Sequence, residues 1–449
     1  MMPSQIKAIH QAFVTGQHDP VAWLDQLTDK IRQVQEQTNA FIHLDIERAR
    51  MTAEASWRRY RNAISLSVLD GVLIGLKDLF ETANMPTTAG SKILQDYRPH
   101  HDAVIVSQLR ELGANLDLGK LNLHEFAFGP TSTSSFYGSV RHPLDGSKMA
   151  GGSSGGSAVA VATELMPLAL GTDTGGSVRI PAALCGIIGL KPTYDRISRQ
   201  GVIPLSWTLD HVGPMARDIE DIALFLDLIF PEERFQEHMM APCSSLNILV
   251  PSGTLGRAVD QDLQHRFELA LERLSMLPGV HIDTSPLPEL ERIRAAQLVI
   301  IGAEAANYHW KWLQERPLDY QEDVRERLIS RASYLAVQYI EGLRARQELQ
   351  VMYQQILDRY DVMILPTVPI YPPDLTTQEV PGYDGQPIDV RNLLVWMTSP
   401  FNLLGLPALT MPVGHNDQGF AASAQIVGNY DQEGKLLQVA KMWQDVLSA

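Results

Sequence analysis

The chain has 449 residues, 45% of them hydrophobic, so it can bury a large core, and length alone suggests two or three domains. Its formal charge of −15 argues against nucleic acid as a direct partner, because phosphate binding needs concentrated Lys and Arg. No apolar run reaches the ~18 residues of a membrane helix, residues 1–19 lack the basic-then-apolar order of a signal peptide, and Cys185 and Cys243 show neither metal-ligand spacing nor a disulfide framework, so a cytoplasmic protein without metal or membrane is expected.

Residues 1–65 read as helices rich in Gln, Arg and Ala. From Val72 onward, short apolar strands alternate with helices. A helix is predicted over 103–112 and a strand over 114–118. A second helix follows over 158–164, then a strand over 166–170 that enters a turn at Asp173. Asp218 is placed to cap a helix on which Ile219, Ile222, Leu226 and Ile229 share one face. Residues 290–359 read as almost wholly helical, and 361–365 as a buried strand running into Pro366. The stretch 366–388, with Pro366, Pro369, Pro372, Pro373 and Pro381, reads as a long loop suited to a lid or pocket rim.

There is no internal repeat and no clean linker. The order of elements predicts an α/β fold, with a central mixed sheet sandwiched by helices. One domain over 1–449 is expected. It divides into an N-terminal helical region (1–65), a core (66–230), a variable, largely helical region (231–360) and a C-terminal part of the core (361–449).

The chemistry concentrates in three blocks. Residues 151–157 (GGSSGGS) and 173–177 (DTGGS) each hold a serine on a glycine-rich turn, and residues 73–78 (LIGLKD) run an apolar stretch into Lys77. Glycines let a backbone turn sharply and expose its N–H groups. A serine hydroxyl is a weak nucleophile that needs an adjacent base. Lysine serves as that base only when neutral, and burial is what lowers its pKa. A flexible linker is the bland reading of 151–157, but a helix and a strand follow at once. No Gly-Lys-Ser/Thr closes the run as in a nucleotide loop. It fits G-x-S-x-G, but no strand directly precedes it as a nucleophile elbow requires.

These blocks closely resemble the amidase signature family. So do residues 122–129 (NLHEFAFG), 179–186 (RIPAALCG), 189–193 (GLKPT), 209–217 (LDHVGPMAR), 400–408 (PFNLLGLPA) and 425–428 (QIVG). The resemblance implies the family's fold and a Ser-cisSer-Lys triad. Ser177 is then the nucleophile, Ser153 the bridging serine with a cis peptide bond, and Lys77 the base. A hydroxyl both donates and accepts, so Ser153 could pass a proton from Ser177 to Lys77 and later return it to the leaving amine. The turn at Asp173, Thr174, Gly175 and Gly176 reads as an oxyanion hole, since successive amides of a glycine turn form an anion site, and a helix beginning after Ser177 would add its dipole. Ser154 should hydrogen-bond within this cluster. Phe128, Gly129 and Ser153 are candidate substrate contacts.

The chain departs from the family pattern at His142, Lys148, Ala150 and 421–424 (AASA), which bears on the substrate pocket and not on the triad. Asp173 and Arg179 read as a structural ion pair or turn anchors. His124 reads as a core histidine, Cys185 as a small core residue, and His100 and His101 as a solvated loop in preference to a metal site. Phe136 and Tyr137 are candidates for an acyl pocket.

The resemblance implies an amidase that cleaves a carbon–nitrogen amide bond through a serine acyl-enzyme and releases ammonia or an amine, without a cofactor. The rival readings are the glutaminase subunit of a tRNA-dependent amidotransferase, and a hydrolase of urea-derived amides of the carboxybiuret or allophanate type. A non-catalytic scaffold subunit fits least, because all three triad positions are intact. A small amide substrate is expected, and a homodimer or a small partner subunit stays open.

Overall fold

In the computed structural model, which describes residues 4–83 and 85–448, the short apolar runs become strands. In chain order they are β1 (Phe41–Leu44), β2 (Ile74–Leu76), β3 (Gly119–Leu121), β4 (Leu168–Asp173), β5 (Ile188–Lys191), β6 (His211–Ala216), β7 (Leu246–Ser252), β8 (Val280–Pro286), β9 (Val362–Pro366), β10 (Glu379–Pro381), β11 (Pro387–Asp389), β12 (Ala408–His415) and β13 (Ala421–Val427). Nine of them form one sheet in the order β2-β4-β6-β5-β12-β13-β9-β7-β8. β2 runs parallel to β4, and β7 runs parallel to β8 and β9. The other ladders are antiparallel, so the sheet is mixed. The fold class is α/β, as expected.

Both faces of the sheet are buried, because successive side chains point to opposite sides. In β4, Leu168 and Leu170 join one hydrophobic cluster and Ala169 another. In β9, Val362 and Ile364 join the first cluster, while Met363 and Leu365 pack with a third. Helices cover each face. Ile219, Ile222 and Leu226 of the helix Ile219–Ile229 pack into the first cluster. Asp218 caps that helix, its carboxylate accepting from the Glu220 amide at 2.9 Å. On the other side lie Ala158–Val161 of the helix Gly155–Ala162, Ile293 and Ile300 of Leu290–Glu315, and Leu349 and Tyr353 of Ala336–Leu357.

Several boundaries differ from the sequence reading. The strand expected over 114–118 forms instead at 119–121. Upstream of it, Asn115 makes an isolated bridge to Leu73 and Asp117 is held by Arg48 and Arg110. The backbone pairs with the 72–74 segment at Asn115 alone, and the ladder does not continue through Asp117. The helical N-terminal region also supplies β1, which pairs with β3. The region 231–360 is not only helical, since it contributes β7 and β8 to one edge of the sheet. The proline-rich loop contains the hairpin β10–β11. Cys185 is partly buried and packs against the second hydrophobic cluster. No helix among the described residues is long and apolar enough to cross a membrane.

This topology places the site. β2 and β4 are adjacent and parallel, and they end at Leu76 and Asp173. Lys77 and the DTGGS turn therefore leave the sheet side by side at carboxyl ends of strands, where α/β folds gather their ligands.

Candidate active site

The apolar approach to Lys77 buries its whole stem, and the side chain is fully enclosed. Its Nζ donates to Ser153 Oγ at 2.7 Å and to Thr172 Oγ1 at 2.8 Å. Burial is the largest influence on this amine; the negative charges of Asp210 and Asp173 oppose it only in part, and the pKa is pushed down from 10.5 to about 7. A lysine held there is neutral in an appreciable fraction of molecules near pH 7 and can accept a proton.

Ser153 follows a cis peptide bond from Gly152. A Cβ at Gly152 would sit 2.6 Å from the Ser132 amide nitrogen, so only glycine fits this approach. The Ser153 carbonyl accepts from the His124 amide at 3.1 Å and from Ser132 Oγ at 3.2 Å. The Ser154 amide donates to the Ser177 carbonyl at 3.2 Å, which ties the two serine turns together. Ser154 Oγ donates to the Thr172 carbonyl at 3.2 Å and lies 3.3 Å from the Thr172 amide. Lys77, Ser153, Ser154 and Ser177 thus converge around the end of β4.

Asp173 organises the second turn. Its carboxylate accepts from the amides of Gly176 (2.8 Å), Val178 (3.1 Å) and Arg179 (3.3 Å). Arg179 grips it bidentately, both contacts being 3.0 Å, and reaches on to Asn402 and Gln425. Burial alone would raise the Asp173 carboxyl. The charges of Arg179 and Lys191 and the hydrogen bond from Asn402 outweigh it and hold the group well below the usual carboxylate range. The expected role of Asp173 and Arg179 as a structural pair matches this geometry. Arg179→Met would strand a buried carboxylate, so a loss of about 3–5 kcal/mol of stability is expected. A urea titration checks it; an unchanged midpoint would contradict the pairing.

One assignment needs correction. The sequence reading put Gly176 among the oxyanion donors, but its N–H is committed to Asp173. Its φ of +129° and the Thr398 hydroxyl, which crowds the place where a Cβ would stand, account for the glycine instead. The amides of Thr174, Gly175 and Ser177 make no hydrogen bond among the described residues. Asp210, unassigned from the sequence, accepts from Thr174 Oγ1 at 2.6 Å and from the amides of Leu205 and Ser206. Burial outweighs these bonds and pushes Asp210 up to about 6.

A cavity of about 460 Å³ opens onto Ser177, Thr174 and Gly175. Phe128 and Gly129 line it, and Ser153, which is buried, is not among its lining residues. Phe136 and Tyr137 are also off the wall, and Phe136 is exposed. His124 is buried, 3.3 Å from Asp323 and 3.2 Å from Arg327, so it steadies the wall from behind. Ile388 of the proline-rich stretch reaches the cavity, which makes that stretch part of its rim. His100 and His101 are exposed, and no group of metal-ligating side chains occurs among the described residues. The sequence reading missed Arg294, Arg327, Arg331 and Arg391, all on the cavity wall. The i,i+4 spacing of Arg327 and Arg331 was the one local sign of a shared face.

The model of the amidase family matches residues 22–437. The chain belongs to the amidase family. Within it, a glutamyl-tRNA(Gln) amidotransferase subunit of Halorhodospira halophila (strain DSM 244 / SL1) is 34% identical, over 99% of this chain and 98% of that one. An amidase crystal structure is 34% identical with a TM-score of 0.90 and covers 98% of both chains. A chain from a vestigial complex bearing on the origins of an s-triazine catabolic enzyme is 30% identical with a TM-score of 0.91, covering 98% of this chain and 97% of that one. This amidase is accordingly an enzyme that hydrolyses carbon–nitrogen amide bonds.

Proposed function

We propose that the chain cleaves a linear amide by way of an acyl-enzyme on Ser177, with Ser153 and Lys77 as its proton relay, in one folding unit. The observation that carries this reading is the enclosed Lys77 amine, 2.7 Å from Ser153 Oγ and held near pKa 7. Neutral Lys77 takes a proton through Ser153 as Ser177 Oγ attacks the amide carbon. The developing oxyanion is met by the amides of Thr174, Gly175 and Ser177, each worth about 2.7–4 kcal/mol in such sites. Collapse breaks the carbon–nitrogen bond, and the proton returns through Ser153 to the departing nitrogen. Water then attacks the ester, giving its proton to the same relay, and Ser177 is restored. These steps use the chain's own side chains and backbone amides together with water.

A second reading has support from the relatives: near full-length likeness to glutamyl-tRNA(Gln) amidotransferase subunits favours a glutaminase that works beside other chains. The likeness to a chain from a complex linked to an s-triazine catabolic enzyme keeps a hydrolase of urea-derived amides, of the carboxybiuret or allophanate type, as a third reading. Ammonia release should be measured for simple alkyl and aryl amides, asparagine, glutamine and allophanate. The chain alone is expected to turn over at least one of them. Release from glutamine only, rising when the other amidotransferase chains and glutamyl-tRNA are added, would replace this reading with the amidotransferase one.

A further inference from the structure

The wall of the Ser177 cavity is cationic in a chain of net charge −15. It carries four guanidiniums, Arg294, Arg327, Arg331 and Arg391, and no aspartate or glutamate among the described residues lines it. Carboxylates stand behind three of the four. Asp323 is 2.6 Å from Arg327 and 3.5 Å from Arg391, and Asp389 is 2.6 Å from Arg391. These two carboxylates balance those two guanidiniums. Glu291, 3.2 Å from Arg294, is almost fully exposed, which leaves that pair weak.

The other two guanidiniums lack a buried carboxylate partner among the described residues. Arg331 has no carboxylate partner among the described residues, and its Nη1 donates to the Tyr334 hydroxyl. Arg294 lies over the Trp396 ring, and its Nη2 is buried without a hydrogen-bond partner. A buried donor without an acceptor is destabilising, and a guanidinium matches a carboxylate in a bidentate fork. Burial also lowers Arg294 and Arg327 from the ordinary arginine value, which a bound anion would reverse.

We propose that this cavity takes amides whose acyl chain ends in a carboxylate read by Arg331 and Arg294, and that it has no site for an α-ammonium group. The rest of the wall, including Phe128, Leu298, Ile301 and Val395, suits an apolar spacer between that carboxylate and the scissile carbonyl. With no carboxylate on the wall, a zwitterion such as glutamine gains nothing from its ammonium and still bears the cost of desolvating it. The inference rests on the reading of Ser177 as the nucleophile that faces this cavity.

The test compares monoamides of succinic, glutaric, adipic and pimelic acids with uncharged alkanamides of equal length, and with glutamine. Ammonia release is read for the parent, Arg331→Met and Arg331→Lys, with fluorophosphonate labelling of Ser177 followed in parallel. The best acid amide should exceed its uncharged counterpart by about 10–100-fold in kcat/KM, mainly through KM. That ratio should fall about tenfold in Arg331→Met, recover in part in Arg331→Lys, and shrink as salt is raised. Glutamine should rank below glutaric monoamide. A ratio near one, or a ratio indifferent to Arg331→Met, with Ser177 still labelled, overturns this inference alone. Glutamine ranking above glutaric monoamide overturns the missing ammonium site. Failure of both turnover and labelling at Ser177 overturns the nucleophile reading and this inference with it.

Discussion

Ser177→Ala is expected to lose turnover by roughly 10⁴–10⁶-fold, the scale seen when a nucleophile that acts as one unit with its base is removed. Its urea midpoint should stay close to the parent's. Ser177 helps to hold the turn through its carbonyl, which accepts from the Ser154 amide, and alanine keeps that carbonyl. Only the hydroxyl of this cavity-lining residue is lost. Steady-state ammonia release and a urea titration on the same preparation check this. Turnover within tenfold of the parent in a folded variant would remove Ser177 from the chemistry.

Lys77→Met is expected to cost about 10²–10⁴-fold in the acylation rate, as the loss of a general base does. The parent should show an acid limb in kcat/KM with an apparent pKa near 7. The sign follows from the charge state: the base works when neutral, so activity falls as pH drops through the folded value. Stability moves in the same sense. The folded pKa lies below the ordinary 10.5, so between about 7 and 10.5 the unfolded chain binds more protons and stability rises with pH. A rate profile flat from pH 8 to pH 5 would count against a lysine base.

What the sequence makes legible is what the chain encodes locally. Ser153 and Ser177 stand out because glycines flank them, and Lys77 because an apolar strand runs into it. Those signals act within a few residues, and the parallel pairing of β2 with β4 brings them together. The donors of the oxyanion turn are only half legible. Glycine at 176 is visible, but the capture of its N–H by Asp173 depends on the surroundings of that carboxylate, which include Asn402, a residue from the far end of the chain. The cationic wall is least legible. Its arginines come from the helices Leu290–Glu315, Glu322–Arg331 and Val390–Leu394. Each reads locally as a charge on a solvated helix, and only long-range packing turns them to one cavity. Strand boundaries failed for a similar reason, as at 114–118, where the chain pairs only at Asn115 and Asp117 is engaged by distant arginines.

The central claim is that Ser177, and not its neighbours, forms the covalent intermediate. The most direct measurement is to react the enzyme with a fluorophosphonate at pH 8, digest it, and locate the adduct by peptide mass mapping. An activated serine reacts with such an electrophile and a structural serine does not. The prediction is one adduct on Ser177, formed at a rate that falls with acid along the limb assigned to Lys77. An adduct on Ser153 or Ser154, with Ser177 unmodified, would contradict it.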